Sequence, residues 1–146
     1  MNLQELIANI QELCLSHKQI SSFQVGNTFD VGVAKAQEYP CVWLELPLLV
    51  DYNETRSKTY STALNFLSLC KADNLDSAVE KTSDMEVICD EVLQAIKSKF
   101  TKIGSENTVG VTMRSFSDDD LVGVRCDITF LVGRECDWRE SFNTAV

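Results

Sequence analysis

The run Leu121–Val132 constrains the fold of this chain more than any other stretch. Val122, Val124, Cys126, Ile128, Phe130 and Val132 alternate with Gly123, Arg125, Asp127 and Thr129. Alternation of period two sustained over such a run predicts a strand with one apolar face and one mixed face. A helix would scatter the same residues around its circumference. A strand this long needs partners along its whole length, so the chain is expected to be an ordered domain built on a long sheet. Ser117, Asp118, Asp119 and Asp120 lead into the strand as an acidic tip. They lack the ligand register of a calcium loop and read as a solvated turn.

Partner strands are legible upstream. Val109–Phe116 predicts the neighbour that turns back through the acidic tip. Cys41–Leu46 places Val42, Leu44 and Leu46 on one face, with Cys41, Trp43 and Glu45 on the other. Pro47 has no N–H to give a ladder, so pairing should weaken there. The polar connection 51–58 then leads into a strand over Thr59–Cys70, a hairpin with about eight loop residues where two to five are usual. Near the end of that strand both faces are apolar, with Leu64 and Phe66 on one and Ala63, Leu67 and Leu69 on the other. A strand solvated on one side would be polar there, so something must cover the second face. Between 19 and 40 the pattern is less regular. Phe23–Gly26 and Phe29–Val33 read as short strands, and Pro40 forces Tyr39 into an extended conformation.

Two helices complete the pattern. Over residues 2–18, Leu3, Leu6, Ile7, Ile10, Leu13 and Cys14 recur at helical spacing. His17 falls at the end of that helix, a position most simply read as surface. Ser83 with Glu86 has the form of a capping box. It would open a second helix carrying Met85, Ile88, Cys89, Val92, Leu93, Ile96 and Phe100, with Lys97, Lys99 and Lys102 at its end and Gly104 beyond. Lys71–Thr82 then reads as a polar crossover with room for a short helical turn. The expected fold is α+β: a mainly antiparallel sheet of about four to five strands packed against two amphipathic helices. Residues 1–146 suit one domain. Residues 134–146, with Trp138 and Phe142 among charges, read as a C-terminal docking arm.

Charge and composition narrow the function. A net charge of -9 repels phosphate backbones, and no local Lys/Arg cluster offsets it. No stretch reaches the roughly 18 apolar residues of a membrane span, and Met1–Glu5, without a basic and then an apolar run, does not read as a signal peptide. The 6 cysteines form no C-x-x-C pair and have one histidine for company. Neither metal nor cofactor binding is expected from that spacing. Cys14, Cys89 and Cys126 sit on apolar stripes, where a free thiol acts as a small hydrophobe. No nucleophile elbow, phosphate loop, dinucleotide fingerprint or zinc-protease motif appears, so no catalytic residues are assigned and no enzyme is expected. Cys136, beside Arg134 and Arg139 but also beside Glu135 and Asp137, is the best of weak nucleophile candidates.

The order of helix, short strands, hairpin, crossover, helix, hairpin and arm resembles the small tail-completion, tail-terminator and neck proteins of tailed bacteriophages. The resemblance is carried by Leu3–Leu15, by Phe23-Gln24-Val25-Gly26, and by Tyr39-Pro40 leading into Val42-Trp43-Leu44. It continues through Ser83-Asp84 before Met85–Ile96, through Phe116–Val124, and through Cys136-Asp137. It implies a structural virion protein, assembled in the host cytoplasm, that forms a homo-oligomeric ring at the head–tail junction or tail end. The ring would contact neighbouring connector, portal or tail proteins and let DNA pass without specific binding. The residues expected at subunit or partner contacts are Tyr52, Asn53, Glu54 and Arg56 of the hairpin loop, Asp118, Asp119 and Asp120 of the tip, Arg125 and Asp127 of the last strand, and Trp138 of the arm. An adaptor module without catalytic activity, using the same loop and arm, is the alternative.

Overall fold

The computed structural model describes residues 1–27, 38–52, 56–70, 75–99, 109–114, 121–134 and 138–143, with backbone alone for 109–114 and 138. Helix α1 spans Leu3–Leu15. Asn2 caps it, its side chain accepting the Glu5 N–H at 2.9 Å, which satisfies one of the donors left over at a helix start. Leu6, Ile10 and Cys14 are its buried stripe. It ends earlier than residue 18 because Ser16 turns back on it, the Ser16 hydroxyl donating to the Glu12 carbonyl at 2.7 Å.

The strands are β1 (Ser22–Gly26), β2 (Cys41–Glu45), β3 (Leu49–Asp51), β4 (Ser57–Leu69), β5 (Val109–Arg114) and β6 (Leu121–Gly133). They form one sheet in the order β1-β2-β4-β6-β5, with β3 also on β4. β4 and β6 run antiparallel from Ser57↔Gly133 to Leu69↔Leu121 and are the spine of the fold. β2 and β3 lie end to end along one side of β4, opposite Leu64–Leu67 and Thr59–Ser61 respectively. The ladder is interrupted between them at Pro47, which has no N–H to donate. β3 and the early start of β4 shorten the connection expected over 51–58 to residues 52–56. The residues expected to form a strand at 29–33 lie outside the described residues.

The sheet is mixed. β1 and β2 pair in parallel, Ser22↔Cys41 through Gly26↔Glu45. Residues 27–40 join them, long enough for the dozen or more residues a parallel return requires. The Trp43 indole N–H donates to the Gly26 carbonyl at 3.0 Å and ties the end of β1 to its neighbour.

Helix α2 spans Leu75–Lys99 and corrects the expected start at Ser83. The Ser83 hydroxyl donates to the Val79 carbonyl at 2.9 Å, the bond a serine makes inside a helix rather than at its cap. Residues 75–82, expected as a crossover, are helical. Ala78 packs with Cys70 and Val122, and the Lys81 ammonium donates to the Leu69 carbonyl at 2.7 Å. These contacts hold the first turns of α2 onto the ends of β4 and β6, which a short capping signature cannot reveal.

Both helices lie on one face of the sheet. Leu6, Ile10 and Cys14 of α1 and Met85, Ile88, Cys89, Val92 and Ile96 of α2 join one buried cluster. Val42, Leu44, Leu64, Phe66, Val124, Cys126, Ile128, Phe130 and Val132 of the sheet complete it. His17 belongs to this junction rather than to open surface. Its Nδ1 accepts the Gln19 N–H at 3.1 Å and its Nε2 lies 3.6 Å from the Glu91 carboxylate. A 3₁₀ turn, Trp138–Ser141, follows β6.

Candidate functional site

The face of the sheet away from the helices is divided in two. Toward the Leu121 end, Trp43, Leu67 and Leu121 form a small buried cluster against which Tyr39 packs. This part is covered within the chain itself, where the apolar second face near the end of β4 requires a cover. Asn65 lies in the same row, opposite Trp43 on β2 and Arg125 on β6. It is fully buried, its amide N–H lies 3.4 Å from the Trp43 carbonyl, and its side-chain oxygen has no hydrogen-bond partner.

Beyond Asn65 the face becomes charged and opens. The Arg125 guanidinium donates through Nε to Glu45 Oε2 and through Nη1 to Asp127 Oδ1, both at 2.8 Å. Glu45 sits on β2 and Arg125 on β6, so this bridge crosses β4. The side chain beneath it is small: Ala63, opposite Asp127. The side chain of Glu45 is 15% exposed and that of Asp127 is 57% exposed. The bond to Asp127 is therefore a screened surface pair worth about 0–1 kcal/mol, whereas Glu45 depends on Arg125 to balance a largely buried carboxylate. Next to the bridge, the Ser61 and Thr129 hydroxyls meet at 3.2 Å, and the Thr62 hydroxyl donates to the Glu45 carbonyl at 2.8 Å.

These side chains border a groove of about 380 Å³. Its floor is Ser61 and Ala63, one wall is Glu45, Pro47 and Leu49, and the other is Arg125, Asp127 and Thr129. Leu49 is 67% exposed at its lip. The break at Pro47 shapes the first wall, because β2 ends at Glu45 and β3 begins only at Leu49.

Of the residues expected at contacts, Arg125 and Asp127 come together in this groove. Tyr52 and Arg56 do not join them. The Arg134 guanidinium donates to the Tyr52 carbonyl and stacks over the Tyr52 ring at 5.3 Å, and the Arg134 N–H donates to the Arg56 carbonyl at 2.9 Å. That assembly lies near the Ser57↔Gly133 end, roughly 20 Å along the strand from Asp127 at the rise per residue of a strand. Asn53, Glu54, Asp118, Asp119 and Asp120 lie outside the described residues. Trp138 begins the 3₁₀ turn after β6. Sequence reading missed Glu45. Its one available signal was a single carboxylate sharing a strand face with Trp43.

The described cysteines, Cys14, Cys41, Cys70, Cys89 and Cys126, are reduced and buried. Burial pushes the Cys14 thiol up to about 12. Cys89 and Cys126 belong to the same buried cluster between α2 and β6, and their interaction raises the Cys89 thiol and lowers that of Cys126. Cys136 lies outside the described residues. Among the described residues no group of three or more His, Cys, Asp or Glu side chains is arranged to hold a metal ion, and no helix is long and apolar enough to cross a membrane.

A scan against protein-family models and a search of curated proteins found no match to this chain.

Proposed function

We propose that this chain is a structural subunit of a tailed-bacteriophage virion, a head–tail connector or tail terminator that closes into a ring around the DNA path. The observation that carries the reading is the asymmetry of the sheet. Its helices cover one face, and its other face presents the Glu45–Arg125–Asp127 groove with Leu49 at the lip. A sheet covered on one face leaves the other for a neighbouring virion protein, while the ring itself closes through a heterologous contact between copies repeated by rotation. The mainly antiparallel sheet backed by amphipathic helices agrees with this role. A net charge of -9 agrees with a channel that DNA passes without sticking. In this reading the chain performs no catalysis, and it reaches the virion by assembly in the host cytoplasm.

Native mass spectrometry and negative-stain microscopy of the purified chain, alone and mixed with phage tails, test the reading. Rings, or rings formed on tail ends, are the expected result. A chain that stays monomeric, never joins tails and is absent from particles overturns it. The groove also suits an adaptor module, and a monomer that captures a cellular partner through this face favours that alternative.

A further inference from the structure

The groove on the outer sheet face has a charge balance that specifies its occupant. We infer that it is a docking site for a basic protein segment, one that inserts an arginine or lysine side chain between Glu45 and Asp127. The inference stands whether or not the chain forms rings.

The chemistry follows from the atoms. Arg125 already spends Nε on Glu45 and Nη1 on Asp127, so it is a poor receptor for an incoming anion. The two carboxylates outnumber the one guanidinium, which leaves the groove one negative charge in excess. Each carboxylate engages Arg125 through a single oxygen, Glu45 through Oε2 and Asp127 through Oδ1. Glu45 Oε1 and Asp127 Oδ2 remain for a second cation, and charge-assisted bonds to carboxylates are the strong class of hydrogen bond. Pro47 and exposed Leu49 on the same wall supply the apolar surface along which a long cationic side chain lays its methylene stem. A volume of about 380 Å³ exceeds what one ion needs and falls in the range of sites that hold a small molecule or a peptide side chain with its flanks.

A second copy of this chain is the poorer occupant. It carries 22 acidic residues against 13 basic ones and would bring net negative charge to a negative groove. The exposed side of α2 repeats the imbalance with Asp76, Glu80, Asp84, Glu86, Asp90 and Glu91. Complementarity therefore points to a partner of opposite charge.

The probe is the pentapeptide acetyl-Gly-Leu-Arg-Leu-Gly-amide, titrated into the isotope-labelled full chain and followed by amide NMR shifts. Its companion carries citrulline in place of arginine, the same shape without the charge. The arginine peptide should move the amides of Thr62, Ala63, Asp127 and Ile128 saturably. The citrulline peptide should bind about tenfold more weakly, the scale of one lost charge-assisted contact. Asp127→Asn should give a similar loss with an unchanged circular dichroism spectrum, and Glu45→Gln serves as the second variant. Asp90→Asn on α2 should change nothing. The inference is overturned by the absence of shifts at millimolar peptide, by equal binding of the citrulline peptide, by unaltered affinity in both folded groove variants, or by shifts confined to α2.

Discussion

Gly123 stands where no side chain fits. A Cβ at that position would lie 1.9 Å from the Phe66 carbonyl oxygen, a backbone atom that cannot swing away. Gly133, at the other end of the same strand, has nothing within 4 Å. Gly123→Ala must therefore push β4 and β6 apart where Gly123 pairs with buried Leu67, near the Leu121 end of the sheet. It is expected to lose about 1–3 kcal/mol, the usual cost of overpacking. Gly133→Ala should be within about 0.5 kcal/mol of the parent. Urea denaturation of the two variants side by side checks the contrast. Cys14 makes a second prediction at this scale, one of pH. Burial pushes its thiol from the ordinary value of 9.0 up to about 12 in the fold. The folded value is the raised one, so the stabilising contribution is complete below 9.0 and is lost as pH climbs toward about 12. Cys14→Ala removes this component, and its urea midpoint should fall less across that window than the parent's. Equal falls in both proteins would show that Cys14 does not report its burial in this way.

At the scale of elements, the two helices show how far local signals reach. Asn2 is a true cap, and its replacement by alanine should cost about 1 kcal/mol. Ser83 has the sequence form of a cap but lies inside α2, so Ser83→Ala should be neutral or stabilising by up to about 0.5 kcal/mol. Thermal unfolding of the pair separates the two roles. An equal loss in both would restore Ser83 as a helix start. The stripe Met85, Ile88, Cys89, Val92 and Ile96 was legible because periodicity is a local property of the chain. The first turns of α2 were not, because Ala78 and Lys81 gain their partners from Cys70, Val122 and the Leu69 carbonyl. β3 escaped notice for a related reason. Three residues after a proline carry too little pattern, and only pairing with Thr59–Ser61 makes them a strand. The parallel pairing of β1 was equally invisible, since Phe23–Gly26 reads the same in either direction.

For the molecule as a whole, the two faces of β6 make separable predictions. Val124 is buried in the main cluster beneath the helices. Val124→Asp would bury an unpaired charge there and should abolish the cooperative fold, seen as loss of the thermal transition. Asp127 lies across the strand at the groove, and Asp127→Arg gives up a screened pair worth about 0–1 kcal/mol. That variant should remain folded by circular dichroism yet fail to join phage tails by negative-stain microscopy. Unfolding of both variants would show that the two faces are not distinct in role. The sequence alone determined the α+β class, the long last strand, the apolar faces of both helices and the acidity of the surface, because each is encoded in spacing or composition along the chain. It brought Arg125 and Asp127 forward as candidates but not their partner. Glu45 lies 80 residues from Arg125 in the chain, and only the pairing of β2 and β6 on either side of β4 puts their charges 2.8 Å apart. The groove likewise exists only in the folded molecule, because its walls come from strands whose adjacency is set by long-range hydrogen bonding that no local pattern records.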